Sequence, residues 1–269
     1  MSNKMDVIIN KDSIELPEKS QPIKSEGSLV LNLLECLGFD PEDPPIAQVL
    51  SNLHQLSGSW LILSPVRWEA THNDGLIEQI NLSEDESQMC FKAFAEYLSE
   101  ENRTLHYHAP DLWLLCCDNL PPIKAKPIHY VANKSLMPAL STIDATMFWQ
   151  KFITESQMFF ASQGMASAVN GVWVWGGATF SEKKMTSICA DTSHLDLAKL
   201  CSIQVKAYSP SVEISEFQLL LIDDTSSLSA PHLQQLNKNN VNWYWNNRGY
   251  NQNNLNWITR FWRTMIHAD

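Results

Sequence analysis

The sequence predicts an α/β or α+β fold, a mixed sheet flanked by helices. Helical and strand-like hydrophobic periods alternate from residue 28 onward. Hydrophobic residues make up 44% of the 269, enough for a sizeable core. The apolar runs at residues 60–63, 112–117, 169–175 and 212–222 are short and are bounded by Pro, Gly or Asp, as strands are.

The elements follow in chain order. Residues 1–27 mix Lys, Glu and Ser with Pro17 and Pro22, and predict a flexible tail that cannot bury enough apolar area to order alone. Within it, Val7, Ile8 and Ile9 form a candidate docking segment, able to add a strand to a partner or to its own domain. Residues 28–269 read as one globular domain, with any subdivision falling near 121–142. Leu29, Val30, Leu33, Leu34 and Leu37 recur at helical spacing up to Gly38, and Pro44-Pro45 opens a second helix.

A strand is expected at 60–63. A helix is expected over 82–98, with Ser83 as its cap and Glu86 three residues on. Ala109-Pro110-Asp111 joins two runs into a hairpin, residues 121–138 read as a surface connection, and 143–163 read as a helix ended by Gly164. Strands at 169–175, 186–190 and 212–222 alternate with helices at 195–200 and 230–237. Residues 243–267 close the chain as an aromatic-dense segment with a terminal helix, in which Trp257, Phe261 and Met265 share a face.

Composition excludes several classes of function. A net charge of -11 repels phosphate backbones and anionic lipid, so no nucleic-acid partner is expected. No run approaches the roughly 18 apolar residues a membrane span needs, and the first residues carry no export signal, so a cytoplasmic location is expected. Cys36, Cys90, Cys116, Cys117, Cys189 and Cys201 sit in apolar strings, as thiols of a reducing compartment do. Cys116 and Cys117 should point to opposite faces of a strand, both buried in packing.

Complete catalytic signatures are missing: there is no phosphate-cradling glycine loop, no nucleophile elbow, and Ser193 beside His194 is an adjacency rather than a triad. The weak metal candidates are His106 and His108, one residue apart on a strand face, and Asp223 with Asp224 at a strand end, the latter pair suiting a turn or helix cap better. Interaction candidates are Val7, Ile8 and Ile9 together with Trp243, Trp245, Arg248, Tyr250, Trp257, Arg260 and Trp262, because Trp, Tyr and Arg anchor interfaces.

Glu155, Gln157 and Met158 on a helix, followed by Asn170, Trp173, Trp175, Gly176 and Gly177 on a strand and its exit, resemble a motif of bacterial proteins labelled cofactor-independent phosphoglycerate mutases. The resemblance spans about residues 60–180. The third glycine of that family's turn is Ala178 here, and the metal-binding Asp and His motifs of true mutases have no counterpart. In overall character the chain also resembles accessory subunits of the coupling complex of Dot/Icm type IVB secretion systems. That resemblance implies a non-enzymatic protein–protein interaction subunit of a cytosolic assembly, drawn to the inner-membrane face by its partners, with no cofactor. The alternative is a metal-dependent phosphoryl-transfer enzyme with a site built from His106, His108, Asp223 and Asp224, and a small-molecule sensor at the Trp173 turn stands behind both.

Overall fold

A computed structural model describes residues 5–13, 20–70, 74–164 and 166–252. In chain order the elements are β1 (Met5–Ile9), β2 (Gln21–Ile23), α1 (Leu29–Cys36), α2 (Ile46–Leu53), β3 (Trp60–Ala70), β4 (Gly75–Gln79), α3 (Glu84–Glu100), β5 (Leu105–Ala109) and β6 (Leu112–Cys116). They continue with α4 (Ile128–Val131), α5 (Met137–Thr142), α6 (Phe148–Gln163), β7 (Gly171–Trp175), β8 (Lys184–Ala190), α7 (Leu195–Cys201), β9 (Ser202–Ala207), β10 (Leu219–Ile222), α8 (Ala230–Lys238), β11 (Val241–Tyr244) and β12 (Gly249–Gln252). Helices and strands mix throughout, in the α/β class the sequence predicts.

The chain divides into two compact units rather than one domain cut near 121–142. The first comprises residues 1–37 and 183–269; the second, residues 38–182, is inserted into it.

The first unit carries a seven-stranded mixed sheet in the order β2-β12-β11-β1-β10-β8-β9. Its middle is parallel: β1 lies between β10 and β11, with Val7 opposite Leu220 on one side and Trp243 on the other. This corrects the expected tail. Val7, Ile8 and Ile9 are each 0% exposed, so they form a central strand of their own domain rather than an exposed docking segment. Residues 21–23 are also ordered, pairing antiparallel with β12.

Trp243 and Tyr250 are likewise core, stacked across the antiparallel β11–β12 pair with ring centroids 6.2 Å apart. The aromatic-dense segment from residue 243 begins with this hairpin, and Trp245 and Arg248 sit half-buried in its turn, joined by the Trp245 N–H donating to the Arg248 carbonyl at 2.8 Å. Trp257, Arg260 and Trp262 lie outside the described residues.

The second unit carries a five-stranded antiparallel sheet built on the 11-residue β3. One end of β3 pairs with β6 and the other with β4, while β7 lies along its opposite edge. Trp113, Trp149, Trp173 and Trp175 are essentially unexposed in this core. The α6 helix packs on β7, α2 on β3 and α3 on β5.

Local signals explain several boundaries. Ser83 Oγ accepts from the Glu86 N–H at 3.2 Å and starts α3 as expected, but the Glu86 carboxylate does not close a capping box. It accepts instead from Ser167 Oγ at 2.8 Å and the Ala168 N–H at 3.3 Å. The expected strand at 212–222 is only β10, because residues 214–216 take a tight helical turn. The surface connection at 121–138 contains α4 and the start of α5. No helix among the described residues is long and apolar enough to cross a membrane.

Candidate functional site

Parallel sheets place chemistry at the carboxyl ends of their strands, where buried apolar runs stop and polar side chains begin. In the first unit three such ends meet. β1 delivers Asn10 and Lys11, β10 delivers Asp223 and Asp224, and β8 delivers Asp191, Ser193 and His194. Asp223 accepts from Ser193 Oγ at 2.6 Å and stands 2.7 Å from His194 Nε2; the Ser193 hydroxyl, with His194 behind it, holds its carboxyl below the usual range. Asp224 pairs with the Lys11 ammonium, which lowers its carboxyl to about 2, and also accepts from the Ser226 N–H at 3.0 Å. Asp191 Oδ2 accepts from the Asp223 N–H at 3.0 Å and from Ser227 Oγ at 3.1 Å.

Most of these polar groups therefore pair with one another, while His194 Nε2 sits 2.7 Å from Asp223 Oδ1 without the angle of a hydrogen bond. Ser193 donates to the Asp223 carboxylate rather than to His194, so the three side chains do not form a Ser-His-Asp relay. Asp224 does cap a helical turn, and Lys11 is a member of the group that pattern reasoning missed.

In the second unit, His106 and His108 share β5 as expected, and the fold adds His54 from the end of α2. His54 Nε2 lies 2.8 Å from His108 Nδ1, and the His54 ring centroid is 4.5 Å from that of His106 and 5.1 Å from that of His108. Two imidazoles on one tetrahedral zinc would hold their nitrogens about 3.3 Å apart, given a Zn–N bond of about 2.0–2.1 Å. A 2.8 Å separation is that of a direct hydrogen bond between the two rings. Among the described residues no group of three or more His, Cys, Asp or Glu side chains is arranged to hold a metal ion.

Burial, followed by the charges of His54 and His106, pushes His108 down from 6.5 to about 4, and burial lowers His54 as well. Below pH 6.5 the unfolded chain takes up protons that the folded cluster refuses, so stability is full above that value and declines as the pH falls towards about 4. Thermal melts of the wild type are expected to lose midpoint temperature across that interval. The His54→Gln/His108→Gln variant is expected to lose less, and equal slopes would show that the rings titrate normally.

Of the residues behind the mutase resemblance, those on β7 and its exit have packing duties. The Asn170 side chain accepts from the Trp68 N–H and donates to the Trp68 carbonyl at 2.9 Å, extending the pairing of β7 with β3. Trp173 Nε1 donates to the Lys126 carbonyl at 2.9 Å and Trp175 Nε1 to Ser64 Oγ at 3.0 Å. Gly176 has φ +79°, and a Cβ there would press on Ile46 and Ile62 at 3.0–3.1 Å; one on Gly177 would press on Leu61 at 3.0 Å.

On α6, Gln157 packs over Gly171, and Ser156 Oγ accepts from the Val172 N–H at 3.2 Å. Glu155 and Met158 face away from β7 and line a groove between α3 and α6, with Met158 68% exposed.

None of the six cysteines forms a disulfide. Cys116 and Cys117 are half-buried rather than buried, and burial pushes the Cys117 thiol up to about 11. Compared with protein-family models, curated proteins and solved structures, the chain matches none.

Proposed function

We propose that this chain is a non-catalytic interaction subunit of a cytosolic protein assembly, and specifically an accessory subunit of a type IV secretion coupling complex built on a mutase-like core. The observation that carries the first part is the surface of the second unit. Met89, Met137, Met147 and Met158 are 43–68% exposed there, and the walls of α3 and α6 leave an open groove between them. Exposed methionines cost solubility in a lone protein and suit surfaces that mould to a partner. The mutual pairing of Lys11, Asp191, Ser193, His194, Asp223 and Asp224 supports the same reading, since side chains committed to one another are poor reagents. The second part rests on resemblance of overall character.

One observation favours a second reading, a metal-dependent phosphoryl-transfer enzyme: the same side chains collect at the carboxyl ends of parallel strands, where α/β enzymes keep their sites. One preparation tests both. The tagged chain purified under native conditions from its own cell should bring other proteins with it in stoichiometric amounts, and mass spectrometry would name the assembly. A clean monomer carrying a divalent ion and turning over phosphate esters would overturn the interaction reading in favour of the enzyme.

A further inference from the structure

The groove between α3 and α6 has an aromatic floor and an acidic rim. Tyr97 and Phe159 lie with ring centroids 4.8 Å apart, and Phe94 packs beneath both, at 6.0 Å from Tyr97 and 5.3 Å from Phe159. Ala93 on α3 and Met158 on α6 also line the hollow, which measures about 520 Å³. Glu96, Glu100 and Glu155 line it, and no Lys or Arg does. Glu155 is 3.6 Å from Lys151, which stands one turn away; Glu96 and Glu100 pair with no cation among the described residues.

These charges are poorly placed for the fold. Glu100 closes α3, Glu101 follows it, and the last turn of the helix contains no basic residue. The end of a helix carries partial negative charge, so an anion there costs stability that a cation would restore. Nothing in the groove supplies that cation. Beyond Glu155 the same face of α6 continues into a smaller hollow, where Arg103 covers the rings of Phe148 and Phe152 at 5.4 Å and pairs with Glu101 at 3.0 Å. The uncompensated acidic charge is therefore confined to the Glu96–Glu100 stretch.

We propose that this groove receives a basic amphipathic helix from a partner protein. Its apolar stripe would lie on Tyr97, Met158 and Phe159, with flanking Lys or Arg residues reaching Glu96, Glu100 and Glu155. A hollow between two helices with Tyr97, Met158 and Phe159 along it can take the i, i+4, i+7 side chains of a third, and the acidic rim selects the sign of its flanks. The inference rests on the interaction reading above and adds the chemistry of the partner.

The test uses the full chain and two synthetic 18-residue helical peptides with the same leucine face, one flanked by Lys and Arg and the other by Glu. By fluorescence anisotropy at low salt the basic peptide should bind roughly tenfold or more tightly than its acidic twin, with the difference shrinking as salt is added. The Glu96→Lys/Glu100→Lys variant should reverse that preference, and Met158→Asp should weaken both peptides. All three positions are at the surface, and circular dichroism confirms the fold of each variant. Equal affinity for the two peptides, no saturable binding of either, or indifference to the charge reversal would overturn the proposal. The same charge-reversed chain, purified from its own cell, keeps the two readings apart. Loss of one partner while others remain supports the groove, an unchanged complex removes the groove alone, and a wild-type chain that emerges without partners removes the interaction reading itself.

Discussion

Removing residues 1–12 is expected to abolish the fold of the first unit, not to trim a tail. β1 is hydrogen-bonded in parallel on both sides, to β10 and β11, so its loss opens the middle of a seven-stranded sheet and strands the edges of both neighbours. Val7, Ile8 and Ile9 are fully buried, and each buried aliphatic side chain is worth about 1.5–3 kcal/mol. Together with the lost pairing this consumes most of the roughly 5–15 kcal/mol by which domains are stable. The graded version is Ile8→Ala, which should cost about 2–5 kcal/mol in denaturant melts while leaving the fold recognisable by circular dichroism. Far-UV spectra and gel filtration of the truncated chain check the larger claim. A compact, soluble truncated protein that only fails to assemble would mean that these residues serve a partner after all.

The reason β1 is hard to read lies in separation along the chain. Its apolar run is three residues long, flanked by Asp6 and Asn10, and its partners Leu219–Ile222 and Val241–Tyr244 come more than 200 residues later. Hydrophobic period reports a local face and says nothing of distant neighbours. The 60–63, 112–117 and 169–175 runs were legible because their side chains are buried almost throughout, whereas β9 hides because most of its side chains are exposed. The closing hairpin carries a turn signal in Asn246-Asn247-Arg248-Gly249. The density of aromatics around it imitates a helix face, because the stacking of Trp243 on Tyr250 across two strands leaves no mark at helical spacing.

The candidate sites divide in the same way. Asp223 and Asp224 stand out because they follow a pure aliphatic run, and the end of a parallel strand is where they are found. Lys11, 213 residues from the Asp224 it pairs with, carries no signal of its own. His106 and His108 are visible as a strand-face pair, but His54 sits at a helix end 54 residues before His108 and joins them only through the packing of α2 on β3. The acidic groove is half legible. Glu155 and Met158 stand out in the sequence beside Gln157, but that they face outward while Ser156 and Gln157 face β7 is a property of how α6 packs.

That division of α6 bears on the second large effect, Trp173→Ala. β7 is buried on both faces: Val172 and Val174 lie on one and Trp173 and Trp175 on the other, all at 0–1% exposure. Trp173 packs 6.5 Å from Trp68 between ring centroids and anchors the Lys126 carbonyl through its indole N–H. Truncation to alanine leaves a cavity the neighbouring backbone cannot close, and should cost about 3–5 kcal/mol. Trp173→Phe keeps an aromatic ring but forfeits the hydrogen bond, and should cost less, about 1–3 kcal/mol. Denaturant melts followed by circular dichroism give both numbers. The comparison also decides what β7 is for. A packing strand predicts that the alanine variant loses stability well beyond the phenylalanine variant, while either variant that stays folded binds the basic peptide in the α3–α6 groove unchanged. If Trp173→Ala proved nearly neutral in stability and yet altered what the protein binds, the strand would be acting on a ligand and the small-molecule sensor reading would return.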